Sequence, residues 1–224
     1  LLDQLPSLAT ERECCVVPDV ASPAGTPVVA LVGAPNSGKS TLFNGLTGLR
    51  SHTGNWPGTS VDIARGPWKA NGVALDLIDL PGAYSLDPIS PDEALTRDLL
   101  VTDGPGRPDL VVVLADAAHL ARSLYLVTQV RELNLRCVVA LSMNDVAAAR
   151  GVTVDADALA ASLGCPVVPL DPRRRRGLER LAGAVAASLA DGVPAPRTRP
   201  EASDELARED ERFAFIDAAV TAGT

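Results

Sequence analysis

Val28-Val29-Ala30-Leu31-Val32-Gly33-Ala34-Pro35-Asn36-Ser37-Gly38-Lys39-Ser40-Thr41-Leu42 is the stretch on which the fold turns. Its apolar start, Val28 to Val32, predicts a buried strand, and the run from Ser40 to Leu49 predicts a helix. Between them lie Gly33, four residues, and Gly38-Lys39-Ser40, the spacing of a phosphate-binding loop. The glycines let the backbone turn tightly, so that successive N–H groups and the helix N-terminus face a phosphate. Lys39 then reaches the outer phosphates and the Ser40 hydroxyl suits Mg²⁺. Lys39 and Lys69 are the chain's two lysines, so composition alone seldom produces such a match.

Outward from this loop, strand and helix patterns alternate. Val61 to Lys69 and Val73 to Leu80 flank Asn71-Gly72, a strong hairpin signal, which predicts one antiparallel pair. Strands follow at Asp109 to Leu114, Arg136 to Ser142 and Val167 to Leu170. Helices follow at Leu120 to Leu133, Asp155 to Leu163 closed by Gly164, and Leu178 to Leu189. The fold class expected is α/β, with a mixed, mostly parallel six-stranded sheet whose ligand belongs at the carboxyl ends of the strands. Residues 1–26 read as a lead-in segment, 27–190 as the nucleotide-binding domain, and 191–224 as a linker and a helical segment, Glu205 to Val220.

The chain has 224 residues, 46% hydrophobic and 21% charged, which excludes wholesale disorder. Only 3% is aromatic, so the core must be built from Ala, Val and Leu. Twenty basic against twenty-eight acidic residues give a net charge of −8, which disfavours binding to nucleic-acid backbones or anionic lipid. Cys14 and Cys15 are adjacent, while Cys137 and Cys165 each sit alone in an apolar run, so a reduced compartment is expected. The chain begins at Leu1 and holds no run of 18 apolar residues, which reads as a fragment that does not itself span a membrane. His52 and His119 show no partner spacing, so neither reads as a metal ligand.

A second constellation is Asp79-Leu80-Pro81-Gly82 at the end of the second hairpin strand. In phosphate-loop enzymes a strand-end Asp holds Mg²⁺, often through water, and a following Gly N–H can touch the terminal phosphate. Between the two motifs lies Gly54-Asn55-Trp56-Pro57-Gly58-Thr59-Ser60, a loop with hydroxyls where a switch segment would complete the Mg²⁺ shell. Gly33 to Gly48, Gly54 to Asp62 and Asp79 to Leu86 together resemble the cytoplasmic GTP-binding domain of the ferrous iron transport protein B family. Glu211-Arg212-Phe213-Ala214-Phe215-Ile216 is similar to the helical segment that precedes that family's first membrane span.

The resemblance implies a phosphate-loop GTPase (G) domain joined to its own transmembrane permease region, acting on GTP and GDP at the cytoplasmic face of the cell inner membrane. It puts the phosphates on Gly33 and on Asn36, Ser37, Gly38, Lys39, Ser40 and Thr41, with Gly58 and Gly82 beside them. Lys39, Ser60 and Gly82 become the catalytic group. Mg²⁺ falls to Ser40, Ser60 and Asp79, with Thr59 as the fallback ligand, and K⁺ falls to Asn36 and the carbonyls of Gly54 and Trp56. Ala83 follows Gly82 and offers no side-chain amide to orient water, which implies slow intrinsic hydrolysis. The base-reading loop is Ser142-Met143-Asn144-Asp145, keeping the family's Asp145 but not its Asn, and the last loop reads Asp171-Pro172-Arg173-Arg174-Arg175-Arg176-Gly177. These departures point to relaxed base specificity. No nucleic-acid partner is expected, and a homo-oligomer is left open. The alternatives are a soluble regulatory GTPase acting in ribosome or tRNA maturation, and a phosphate-loop kinase or ATPase.

Overall fold

Seven strands form one sheet: β1 (Val28–Gly33), β2 (His52–Asn55), β3 (Asp62–Ala70), β4 (Val73–Asp79), β5 (Leu110–Asp116), β6 (Arg136–Ser142) and β7 (Val167–Pro169). Their order is β2-β3-β4-β1-β5-β6-β7. The computed structural model describes residues 25–48, 52–55, 62–102, 107–191 and 205–224. The strands from β4 to β7 pair in parallel, while β3 runs antiparallel to both β2 and β4. The sheet is therefore mixed and mostly parallel, with β2 as a strand beyond the six read from the sequence. His52-Thr53-Gly54-Asn55 is too short and too polar to show a period, and its pairing to β3 defines it instead. The expectations for Cys14, Cys15, Trp56, Gly58, Thr59 and Ser60 lie outside the described residues.

Seven helices cover the two faces among the described residues: α1 (Lys39–Thr47), α2 (Pro91–Val101), α3 (Leu120–Glu132), α4 (Asn144–Ala149), α5 (Ala156–Leu163), α6 (Leu178–Ala190) and α7 (Glu205–Gly223). Side-chain alternation along β1 divides the core. Val29 and Leu31 join Leu42 and Phe43 of α1 and Leu181 and Val185 of α6. Ala30 and Val32 join the opposite layer with Leu124 and Val127 of α3, Leu159 and Leu163 of α5, and Ile216 and Ala219 of α7. Both faces are thus buried, as a parallel sheet requires. The result is to aim the carboxyl ends of β1, β4 and β6 at one edge, where the loops carrying Gly33 to Ser40, Asp79 to Gly82 and Ser142 to Asp145 emerge.

Cys137 and Cys165, each alone in its own apolar run, come together as hydrogen-bonded neighbours, because β6 and β7 are adjacent strands. Among the described residues no helix is long and apolar enough to cross a membrane.

Candidate functional site

The phosphate loop is shaped by its backbone. Asn36 adopts φ +62° and Gly38 φ +93°, and the Ser37 N–H donates to the Ala34 carbonyl at 3.2 Å to close the turn. Gly38 is the N-cap of α1, so the helix begins at Lys39 with its first N–H groups facing the loop. Gly33 must be glycine, because a Cβ there would lie 2.8 Å from the Leu114 carbonyl oxygen of the neighbouring strand β5.

At the mouth of this loop the Lys39 ammonium is paired with the Asp79 carboxylate at the end of β4. Their side chains are 12% and 10% exposed, so the pair is largely out of water. Burial pushes the Asp79 carboxyl above its usual range, against the pull of Lys39 and of a hydrogen bond from Ser40. Lys39, Ser40 and Asp79, read separately from two sequence motifs, are therefore one cluster. The Ser40 hydroxyl and the Asp79 carboxylate are hard oxygen donors, the chemistry that Mg²⁺ takes.

Gly82 lies directly against the phosphate loop, since a Cβ there would stand 3.0 Å from Pro35 Cγ and 3.1 Å from Pro35 Cα. The next residue anchors it: the Ala83 N–H donates to the Gly33 carbonyl at 3.1 Å. Downstream, the Leu86 N–H donates to Gln129 Oε1 at 2.7 Å, and the Arg122 guanidinium stands 3.8 Å from the Tyr84 ring centroid. The segment after Gly82 is thus strapped to α3. A cavity of about 280 Å³ opens here, bordered by Pro35, Asn36, Tyr84, His119 and Arg122. His119, read as lacking a partner, makes a 2.9 Å contact through Nδ1 with the Asp116 carboxylate.

A larger cavity of about 430 Å³ lies on the other side of the loop. Ser37, Gly38 and Thr41 form its phosphate end, and Ser142, Met143 and Asp145 its far wall. Met143 turns the chain with φ +57°, and Asp145 is exposed in the first turn of α4. Ser142 is 1% exposed; its hydroxyl has the Ala115 carbonyl at 3.1 Å and the Ser37 carbonyl at 3.5 Å. With one proton to donate, it favours the nearer oxygen, so its hold on the phosphate loop is weak.

The arginine-rich loop, which departs from the family's pattern, closes this same cavity with Pro172, Arg173, Arg174 and Arg176. It is a tight turn in which Asp171 and Arg176 exchange backbone hydrogen bonds at 3.0 Å, and the Arg174 N–H donates to the Asp171 carboxylate at 3.1 Å. Gly177 ends it at φ +80°, where a Cβ would fall 2.5 Å from the Pro169 carbonyl oxygen. Three exposed arginines on this cavity wall, Arg173, Arg174 and Arg176, add positive charge beside the phosphate loop. Gly54 lies in β2 opposite Ile63.

Comparison with known proteins places this site in context. The family model for ferrous iron transport protein B matches residues 27–185. The chain is 45% identical over 157 residues to the Fe(2+) transporter FeoB of Salmonella typhimurium, covering 68% of this chain and 20% of that protein. It is 44% identical over the same length to the transporter of Escherichia coli K12. The chain thus spans about a fifth of the length of the curated relatives it matches. Among solved structures, the cytosolic domain of L. pneumophila FeoB aligns with a TM-score of 0.77 at 29% identity, covering 88% of this chain and 98% of that one. The G domain of T. maritima FeoB aligns at 0.67 with 37% identity, covering 73% and 98%. The cytosolic domain of T. maritima FeoB in its GMPPNP form aligns at 0.72 with 30% identity, covering 89% and 87%.

Proposed function

Because the chain belongs to the ferrous iron transport protein B family and carries its G-domain fold, we propose that it binds and hydrolyses GTP at the cytoplasmic face of a membrane, in service of a ferrous iron permease. The observation that carries this reading is the convergence of Lys39, Ser40 and Asp79 beside a cavity that runs from Gly38 and Thr41 to Asp145. One end suits phosphates and the other a base. Residues 27–190 form the nucleotide-handling unit, residues 1–26 lead into it, and residues 191–224 lead toward the membrane region.

Gly33 and residues 36–41 cradle the phosphates through backbone N–H groups, and Lys39 leaves Asp79 to meet their charge. Ser40 and Asp79 would hold Mg²⁺, and Ser60 or Thr59, from the switch loop next to Gly58, would complete its shell. Bound Mg²⁺ neutralises charge on the outer phosphates. The Gly82 N–H would touch the terminal phosphate, and Ala83 provides no amide to orient water, so intrinsic turnover would be slow. K⁺ at Asn36, with the carbonyls of Gly54 and Trp56, would offset developing charge in place of an arginine finger. Asp145 accepts from the N1 and exocyclic amino hydrogens of guanine, which adenine does not match. With Ser142 in place of Asn and Pro172 lacking an N–H, base selectivity is relaxed and GTP affinity is roughly micromolar or weaker.

The decisive experiment measures nucleotide turnover by the wild type and Lys39→Ala in K⁺ and in Na⁺, with ATP as competitor. Lys39→Ala should abolish hydrolysis and weaken triphosphate binding by roughly tenfold or more, because a charge-assisted contact in a half-buried site is worth about 1.5–3 kcal/mol. Unchanged turnover in that variant overturns the assignment. Equal rates in the two salts remove the K⁺ role, and ATP displacing GTP at parity removes Asp145 as base reader.

A further inference from the structure

Cys137 and Cys165 lie in separate stretches of sequence, and the sheet sets them face to face. β6 and β7 are parallel with Val139 opposite Val167, and the Val139 N–H donates to the Pro166 carbonyl at 2.8 Å. Cys137 precedes Val139 by two residues and Cys165 precedes β7 by two, and the two thiols meet as hydrogen-bonded neighbours. Both belong to the core layer on the face covered by α3, α5 and α7. Opposed residues of adjacent strands stand about 5 Å apart, inside the Cα separation of about 4.4–6.8 Å that a disulfide needs. Cys137 is buried, whereas Cys165, just beyond the Gly164 cap of α5, is partly exposed. Among the described residues no group of three His, Cys, Asp or Glu side chains gathers to hold a metal, so the pair is not part of such a cluster.

We propose that Cys137 and Cys165 are a redox pair that closes to an intrachain disulfide when a hydroperoxide reaches Cys165. The hydrogen bond to Cys165, together with burial, pushes the Cys137 thiol up, and the nearby Arg131 guanidinium only partly offsets this. Cys137 therefore keeps its proton, and the more accessible Cys165 is the one that meets the oxidant, its proton passing to solvent as it reacts. Its sulfur attacks one peroxide oxygen, the O–O bond breaks, and a sulfenic acid forms with release of hydroxide or alkoxide. Cys137 then attacks the sulfenic sulfur, the S–O bond breaks, and the departing hydroxide takes the Cys137 proton as water. Two electrons pass from the two thiols to the peroxide. The crosslink joins the strands whose far ends, Ser142 and Pro169, line the larger cavity, and it pins the α5–β7 junction to β6.

The test uses the full chain in a Cys14→Ser/Cys15→Ser background, treated with hydrogen peroxide and then digested without reduction. The expected result is a peptide joining Cys137 to Cys165, with a Tm raised by about 5 °C through the closed loop. Dithiothreitol should reverse both changes, which separates them from methionine oxidation, and Cys165→Ala should show neither while folding normally. Two thiols that stay free to alkylate, a Cys165 sulfinic acid without crosslink, or a crosslink that leaves Tm unchanged or lowered would each overturn the proposal.

Discussion

Gly82 has no side chain because the phosphate loop fills the space one would occupy, 3.0 Å from Pro35 Cγ. Asp79, three residues earlier, is largely buried too, at 10% exposure, and that has a consequence in pH. Desolvation raises the Asp79 carboxyl above 3.8, with Lys39 opposing but not cancelling it. Across the window from 3.8 up to that raised value, the folded protein binds more protons than the unfolded chain, so stability falls as pH rises. The contribution is complete below the window and lost above it. In metal-free protein the Tm of the wild type, measured against Asp79→Asn, should therefore decline from about pH 4 upward and then level off. A difference that grows with pH would mean that Lys39 outweighs burial.

At the scale of elements, the β3–β4 hairpin shows how far local chemistry reaches. Asn71 and Gly72 take φ +47° and +91°, the two positive angles of a type I′ turn. Gly72→Ala should cost about 1 kcal/mol, read as a lower urea midpoint with an unchanged m-value. An unmoved midpoint would show that the turn has another low-energy form. This hairpin, β6, and α5 between its Asp155 cap and Gly164 were legible because their signals are contiguous in sequence. α2 was missed, though Ser90-Pro91-Asp92-Glu93 is a helix start: the Ser90 hydroxyl accepts from the Glu93 N–H at 3.3 Å, and the Glu93 carboxylate accepts from the Ile89 N–H at 2.9 Å. α4 has only six residues and carries no period to read. At the site, the phosphate loop and Asp79 were legible for the same reason that the hairpin was. The thiol pair and the arginine wall of the larger cavity were not, because both depend on which strands lie side by side.

For the molecule as a whole, the C-terminal helix read from the sequence docks on the domain's own helices. α7 packs across α3 and α5, with Ile216 and Ala219 buried, and the Gly223 carbonyl accepts from the Asp155 N–H at 2.7 Å. The polar clamp on this contact is Arg212, which donates through Nε at 2.8 Å and Nη2 at 2.7 Å to the two carboxylate oxygens of Glu132 on α3. Its guanidinium also lies 5.7 Å from the Tyr125 ring centroid, and that ring packs against Phe213 at 5.7 Å. Two features lift this ion pair above an ordinary surface pair: the bidentate geometry, and side chains only 17% and 29% exposed. A double-mutant cycle with Arg212→Ala and Glu132→Ala should give a coupling of about 1–2 kcal/mol in urea unfolding, falling modestly in 1 M salt because the pair is half-buried. The stabilising contact would then be a specific dock that holds α7 against the helix that also straps the chain after Gly82. A coupling below about 0.3 kcal/mol would reduce Arg212 to a surface ion pair and leave the apolar contacts of Ile216 and Ala219 to hold α7 alone.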